Sequence, residues 1–108
     1  MKFCIIIQSN NPEHVWNAFR LGIAALKKSH AVQINFMNEG VETEDIPDTE
    51  QFDISKKIQE FKDLKGTLLA CEACLKSRSK LESKICPVST MMDLLKMVEE
   101  SDKVLVFG

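Results

Sequence analysis

The stretch Leu68-Leu69-Ala70-Cys71-Glu72-Ala73-Cys74-Leu75-Lys76 decides how the rest of this 108-residue chain is read. Thr67 to Ala70 is a short apolar run of the kind that forms a strand buried on both faces, and Cys71 stands where a helix begins. Cys74 then falls one turn inside that helix. In a parallel sheet such a junction lies at the carboxyl end of a strand, the edge where ligands and reacting groups collect.

Working outward, the same alternation repeats. Lys2 to Gln8 is another apolar run without period-two alternation, and Asn10-Asn11-Pro12 signals a helix start, with Asn11 as cap and Pro12 at the first helical position. Val15, Trp16, Phe19, Ile23 and Leu26 recur at helical spacing to about Lys28. Ala31 to Met37 forms a second extended run, followed by Asn38-Glu39-Gly40 and an acidic connection in which Pro47 argues against continuous secondary structure. Ile54, Ile58, Phe61 and Leu64 mark a helix ended by Lys65-Gly66.

Beyond the cysteines, the helix is expected to run to about Lys80, and Ile85-Cys86-Pro87-Val88 to form a short strand weakened by its proline. Ser89 or Thr90 caps a last helix with Met91, Leu94, Leu95 and Val98 facing inward, and Lys103 to Phe107 supplies the fifth strand. The pattern predicts a single α/β domain over residues 1–108. It is a three-layer α/β/α arrangement with a mostly parallel five-stranded sheet and right-handed crossovers. Strand order does not follow from the pattern. The loops after Gln8, Met37, Ala70 and Val88 share one edge, which makes Asn10, Asn11, Asn38, Cys71 and Ser89 candidate neighbours.

Composition narrows the classes of function. The chain is 44% hydrophobic and 28% charged, with a net charge of −2, which argues against general nucleic-acid binding. No apolar run approaches the roughly 20 residues that span a bilayer, and Phe3 to Ile7 is too short for an export signal, so a cytoplasmic protein is expected. Charge is uneven: Glu39 to Glu50 holds six acidic residues and no basic one, while Lys76, Arg78, Lys80 and Lys84 follow the cysteine pair. That asymmetry suits orientation of a protein partner, or plain solvation.

In a reducing compartment four cysteines are expected to include free thiols rather than to form a disulfide scaffold. A thiol reacts as thiolate, and a helix amino terminus favours that form. Cys71 is therefore the candidate nucleophile and Cys74 the resolving or modulating thiol. Cys4 and Cys86 read as packing residues. Glu72 beside Cys71 opposes thiolate formation, and Lys76 or Arg78 can counter it. His14 points toward the same edge as an exposed residue or a proton shuttle, His30 lies on the opposite edge, and Trp16 packs on the sheet or a neighbouring subunit. Zinc needs about four ligands and no second CxxC exists, so no metal is expected. The glycine fingerprints for dinucleotides and phosphates are missing, so no cofactor is assigned.

Ala70-Cys71-Glu72-Ala73-Cys74-Leu75-Lys76-Ser77-Arg78-Ser79 resembles the Cys-x-x-Cys-Leu-x-x-Arg motif of the DsrE-like sulfur-relay superfamily, which includes the DsrE/F/H and TusB/C/D groups. The resemblance covers almost the whole chain and implies the same fold. In members that carry sulfur, the cysteine at the strand–helix junction accepts and passes persulfide sulfur, a role that maps to Cys71. Cys74 matches a second cysteine present in some branches only, and Ser79 stands where a glycine often follows the arginine. Family members often assemble as homotrimers, homohexamers or mixed rings, which implies a homo-oligomer here.

The leading expectation is a sulfur-trafficking protein that takes persulfide sulfur on Cys71 from a protein donor and gives it to a protein acceptor, with no nucleic acid or membrane involved. The alternatives are a structural or regulatory binding module of the same fold and a CxxC thiol-disulfide oxidoreductase.

Overall fold

The computed structural model describes all residues, Met1 to Gly108. Five strands, β1 (Lys2–Ile7), β2 (Ala31–Phe36), β3 (Thr67–Cys71), β4 (Val88–Ser89) and β5 (Lys103–Phe107), form one parallel sheet in the order β4-β3-β2-β1-β5. Four α-helices connect them: α1 (Pro12–Lys27), α2 (Ile54–Asp63), α3 (Glu72–Lys76) and α4 (Met91–Glu100), with a 3-10 helix over Asn38–Asp45. This is the α/β architecture expected from the alternation of elements. No helix is long and apolar enough to cross a membrane.

Strand alternation divides the side chains between two faces. Ile5 and Ile7, Ile34 and Phe36, Leu68 and Ala70 belong to the buried core shared with Val15 and Phe19 of α1 and Ile58 and Phe61 of α2. Phe19 meets the Phe61 ring edge-on at 5.5 Å. Gly22 lets α1 come this close to α2, since a Cβ there would sit 3.0 Å from the Phe61 ring. The opposite face carries Cys4, Gln33, Asn35 and Leu69 and is covered by α4 alone.

The start of α1 is as the sequence indicates: Asn11 Oδ1 accepts from the backbone N–H groups of Glu13 and His14. Thr90, not Ser89, caps α4, exchanging bonds with Asp93 in a capping box. Ser89 instead donates its hydroxyl to Asn35 Oδ1 at 2.8 Å, inside the protein.

The connection after Met37 opens as a 3-10 helix that closes at Asp45, and no regular element continues through Pro47, as the sequence indicates. Three expectations are corrected. The helix after Cys71 stops at Lys76 rather than about Lys80. Ser79 adopts a left-handed φ of 58°, while Ser79 N–H bonds Lys76 O and Lys80 N–H bonds Leu75 O, the closure known as a Schellman motif. The fourth strand shrinks to Val88–Ser89 because Pro87 has no N–H to donate; its carbonyl still accepts from Ala70. On α4, Leu94 and Met97 are buried while Met91 and Leu95 face outward, a rotation of the expected stripe.

Candidate functional site

Cys71 is the last residue of β3, and α3 starts at the next residue. Its side chain is buried, the residue being 7% exposed, and Cys74 is half-buried. Burial pushes the Cys71 thiol above its ordinary pKa, and hydrogen bonding with the Cys74 side chain pushes the same way, against smaller lowering by the backbone N–H groups of Cys74 and Ala73. The expected thiolate-favouring helix terminus is weak because α3 has only five residues, too few peptide dipoles to add up. In the resting protein Cys71 is therefore a sheltered, protonated thiol.

Cys74 has a different environment. The backbone N–H of Asn38 donates to its Sγ at 3.2 Å. Asn38 follows β2 and holds a left-handed φ of 52°, a conformation asparagine tolerates better than most residues. Its side chain donates to Gln8 Oε1 at 3.1 Å, and Gln8 Nε2 donates to the Gly108 carbonyl at 2.8 Å. The ends of β1, β2 and β5 are thus tied to the turn that faces the thiol. Gly40 lets this turn lie flat on β1, because a Cβ there would collide with the carbonyl oxygen of Ile7.

The basic residues after the cysteines meet the acidic run of the 3-10 helix. Arg78 Nε donates to Glu42 Oε2 at 2.8 Å and its Nη1 to the Cys74 carbonyl at 3.0 Å, so one guanidinium fastens α3 to the 3-10 helix. Lys80 Nζ bridges Glu44 Oε1 at 2.9 Å and Asp45, and Glu44 also accepts from the Lys84 backbone N–H. The Glu44 side chain is 1% exposed, which makes its pairing compulsory. Glu42, Glu44 and Asp45 of the acidic run are thus paired with Arg78 and Lys80 inside the chain. Lys76 pairs with Glu72 along α3, on the exposed side.

The other named residues do not join the cysteine pair. Asn11 is spent on its helix cap. His14 Nδ1 lies 2.9 Å from Ser9 Oγ. His30 sits on the far edge against the amino terminus and the Phe3 ring. Trp16 packs against the core, donates to Asp53 and meets the Phe52 ring edge-on. Cys4 is fully buried; Cys86 is half-buried near Ser83, and burial raises both thiols. The only cavity, about 380 Å³, runs along α4 between Gln33, Leu69, Asp93, Lys96, Met97 and Glu100 and contains neither Cys71 nor Cys74.

Sequence reasoning named Asn38 but missed the contribution of its backbone, and it missed Gln8, Gly40, Glu42 and Glu44. A signal was available for the carboxylates: both charge runs flank segments assigned to the same sheet edge, so mutual pairing was the simplest use for them.

A small α/β protein with a paired thiol at the carboxyl edge of a parallel sheet is the class this geometry defines. The DsrE/DsrF-like family matches residues 1–107, and the chain belongs to that family. Two solved structures share the fold. The YchN protein of E. coli superposes with a TM-score of 0.80 at 20% identity, covering 99% of this chain and 100% of YchN. A conserved protein of unknown function, BT1422 of Bacteroides thetaiotaomicron, gives 0.76 at 17% identity, covering 97% and 93%. No functionally curated protein matches.

Proposed function

We propose that this protein is a cytoplasmic sulfur carrier that takes sulfane sulfur onto the Cys71–Cys74 pair, holds it as a persulfide on Cys71 and passes it to another protein thiol. The carrying observation is the placement of two interacting thiols at the β3–α3 junction, one sheltered and one reachable. Family membership supports the sulfur-relay class. The position of the pair outside the single cavity favours a protein donor and acceptor over a small-molecule substrate. The test is incubation with glutathione persulfide followed by intact-mass measurement, which should show one added sulfur.

A thiol-disulfide oxidoreductase is the second reading, favoured by the placement of two free thiols one helical turn apart at the β3–α3 junction. It requires an internal Cys71–Cys74 disulfide and loss of reductive turnover when either residue changes.

The carrier is also proposed to work as a homo-oligomer. Met91, Met92 and Leu95 of α4 and Val104 and Val106 of β5 are exposed, and register places both valines on the α4 side of the sheet. A second copy would bring an equally apolar surface to cover them.

A further inference from the structure

Resting on the carrier reading, we infer that Cys74 is the thiol that receives sulfur from the donor, activated by the backbone N–H of Asn38, and that Cys71 is the sheltered holder to which the sulfur then moves. This assigns the first chemical step to the residue that sequence reasoning treated as secondary.

Three observations carry the assignment. Cys74 is the more accessible of the two, and an incoming donor must reach the sulfur it meets. Its Sγ accepts a backbone N–H at 3.2 Å, a fixed donor beside the sulfur on which charge changes during transfer. The Asn38 N–H is held in place from the strand side of the site: by the left-handed Asn38 turn, its tether to Gln8 and the close approach of Gly40 to β1. Burial and the Cys74 contact keep Cys71 protonated, which removes it as the first nucleophile.

The steps balance without an added oxidant or reductant. The Cys74 thiolate attacks the terminal sulfur of a persulfide donor, R–S–SH. The new Cys74–S bond forms as the donor S–S bond breaks, and its electron pair leaves with R–S⁻. Cys71 then gives its proton to the departing R–S⁻ and attacks the outer sulfur of Cys74–S–SH as thiolate. Cys74 departs as thiolate. The Asn38 N–H thus meets the Cys74 sulfur twice, as it attacks and again as it departs. Delivery to an acceptor is the reverse exchange through Cys74.

The test uses the reduced full-length protein. Pulsed iodoacetamide labelling, read by fragmentation of the peptide holding both cysteines, should label Cys74 at least tenfold faster than Cys71 at neutral pH. Gly40→Ala should slow labelling of Cys74 and leave that of Cys86 unchanged; should that variant not fold, Gln8→Ala provides the same readout by releasing Asn38. With glutathione persulfide, Cys74→Ala should slow loading of Cys71 at least tenfold. Labelling of Cys71 as fast as that of Cys74, or a Cys74 rate indifferent to a folded turn variant, overturns the inference. If Cys74 labels faster yet no sulfur is ever loaded, the carrier reading fails while the thiol assignment stands. If Cys71 loads at full rate in Cys74→Ala, the carrier stands and the assignment falls.

Discussion

At the scale of single residues, the family-motif positions acquire distinct physical roles. Arg78 is a positioning residue: its planar fork reaches Glu42 and the Cys74 carbonyl together, a geometry a lysine cannot copy. Ser79 shows what the missing glycine means. The left-handed closure forms regardless, but a residue with a Cβ carries a cost of roughly 1 kcal/mol in that conformation. Ser79→Gly should therefore stabilise the protein by about 0.5–1 kcal/mol, raising Tm by a few degrees in a thermal melt. Ser29 and Lys65 hold similar angles at the ends of α1 and α2, so each glycine variant should stabilise by a similar amount. These strained positions were not legible in the sequence, because serine and lysine give no hint of a positive φ. The CxxC pair was legible, since an apolar strand followed by a helix start fixes where Cys71 lies. Its electrostatics were not, because they depend on Asn38, 36 residues before Cys74.

Between elements, the decisive contact is the ionic clasp joining the 3-10 helix to the segment after α3. Breaking it from the lysine side leaves the buried Glu44 carboxylate with the Lys84 N–H alone, and Lys80→Met should cost about 1–3 kcal/mol in urea unfolding. Its pH dependence has a defined sign. The Arg78 hydrogen bond holds Glu42, and the Lys80 hydrogen bond holds Asp45, below the usual carboxylate range. Their contribution is complete above the unfolded-state values and is lost as pH falls through the folded ones. Lys80 is raised by Asp45 and then Glu44, so its part is complete below the ordinary lysine range and lost only as pH rises through its elevated value. The urea-midpoint gap between wild type and Lys80→Met should accordingly be widest near neutrality and narrow on the acid side. Element order, the Asn11 cap and β5 were readable because periodicity and capping are local. The short α3 and the reduced β4 were not, since the clasp and Pro87 act through partners distant in sequence.

For the whole molecule, one face of the sheet carries two long helices and the other only α4, which leaves Val104, Val106, Met92 and Leu95 in solvent. The proposed self-association should be lost in a Met92→Glu, Val106→Glu double variant, measured as a smaller mass by light scattering with helical content unchanged. Strand order could not be read from the sequence, because each apolar run fits any interior position; the exposed valines of β5 mark it as an edge only once the order is known. The proposed carrier is tested most directly by glutathione persulfide loading followed by intact mass after prolonged incubation. One added sulfur is expected on wild type, placed on Cys71 by fragmentation, and still acquired by Cys74→Ala at the end of that incubation. No adduct on wild type, or one that persists when Cys71 and Cys74 are both replaced by alanine, would contradict the account.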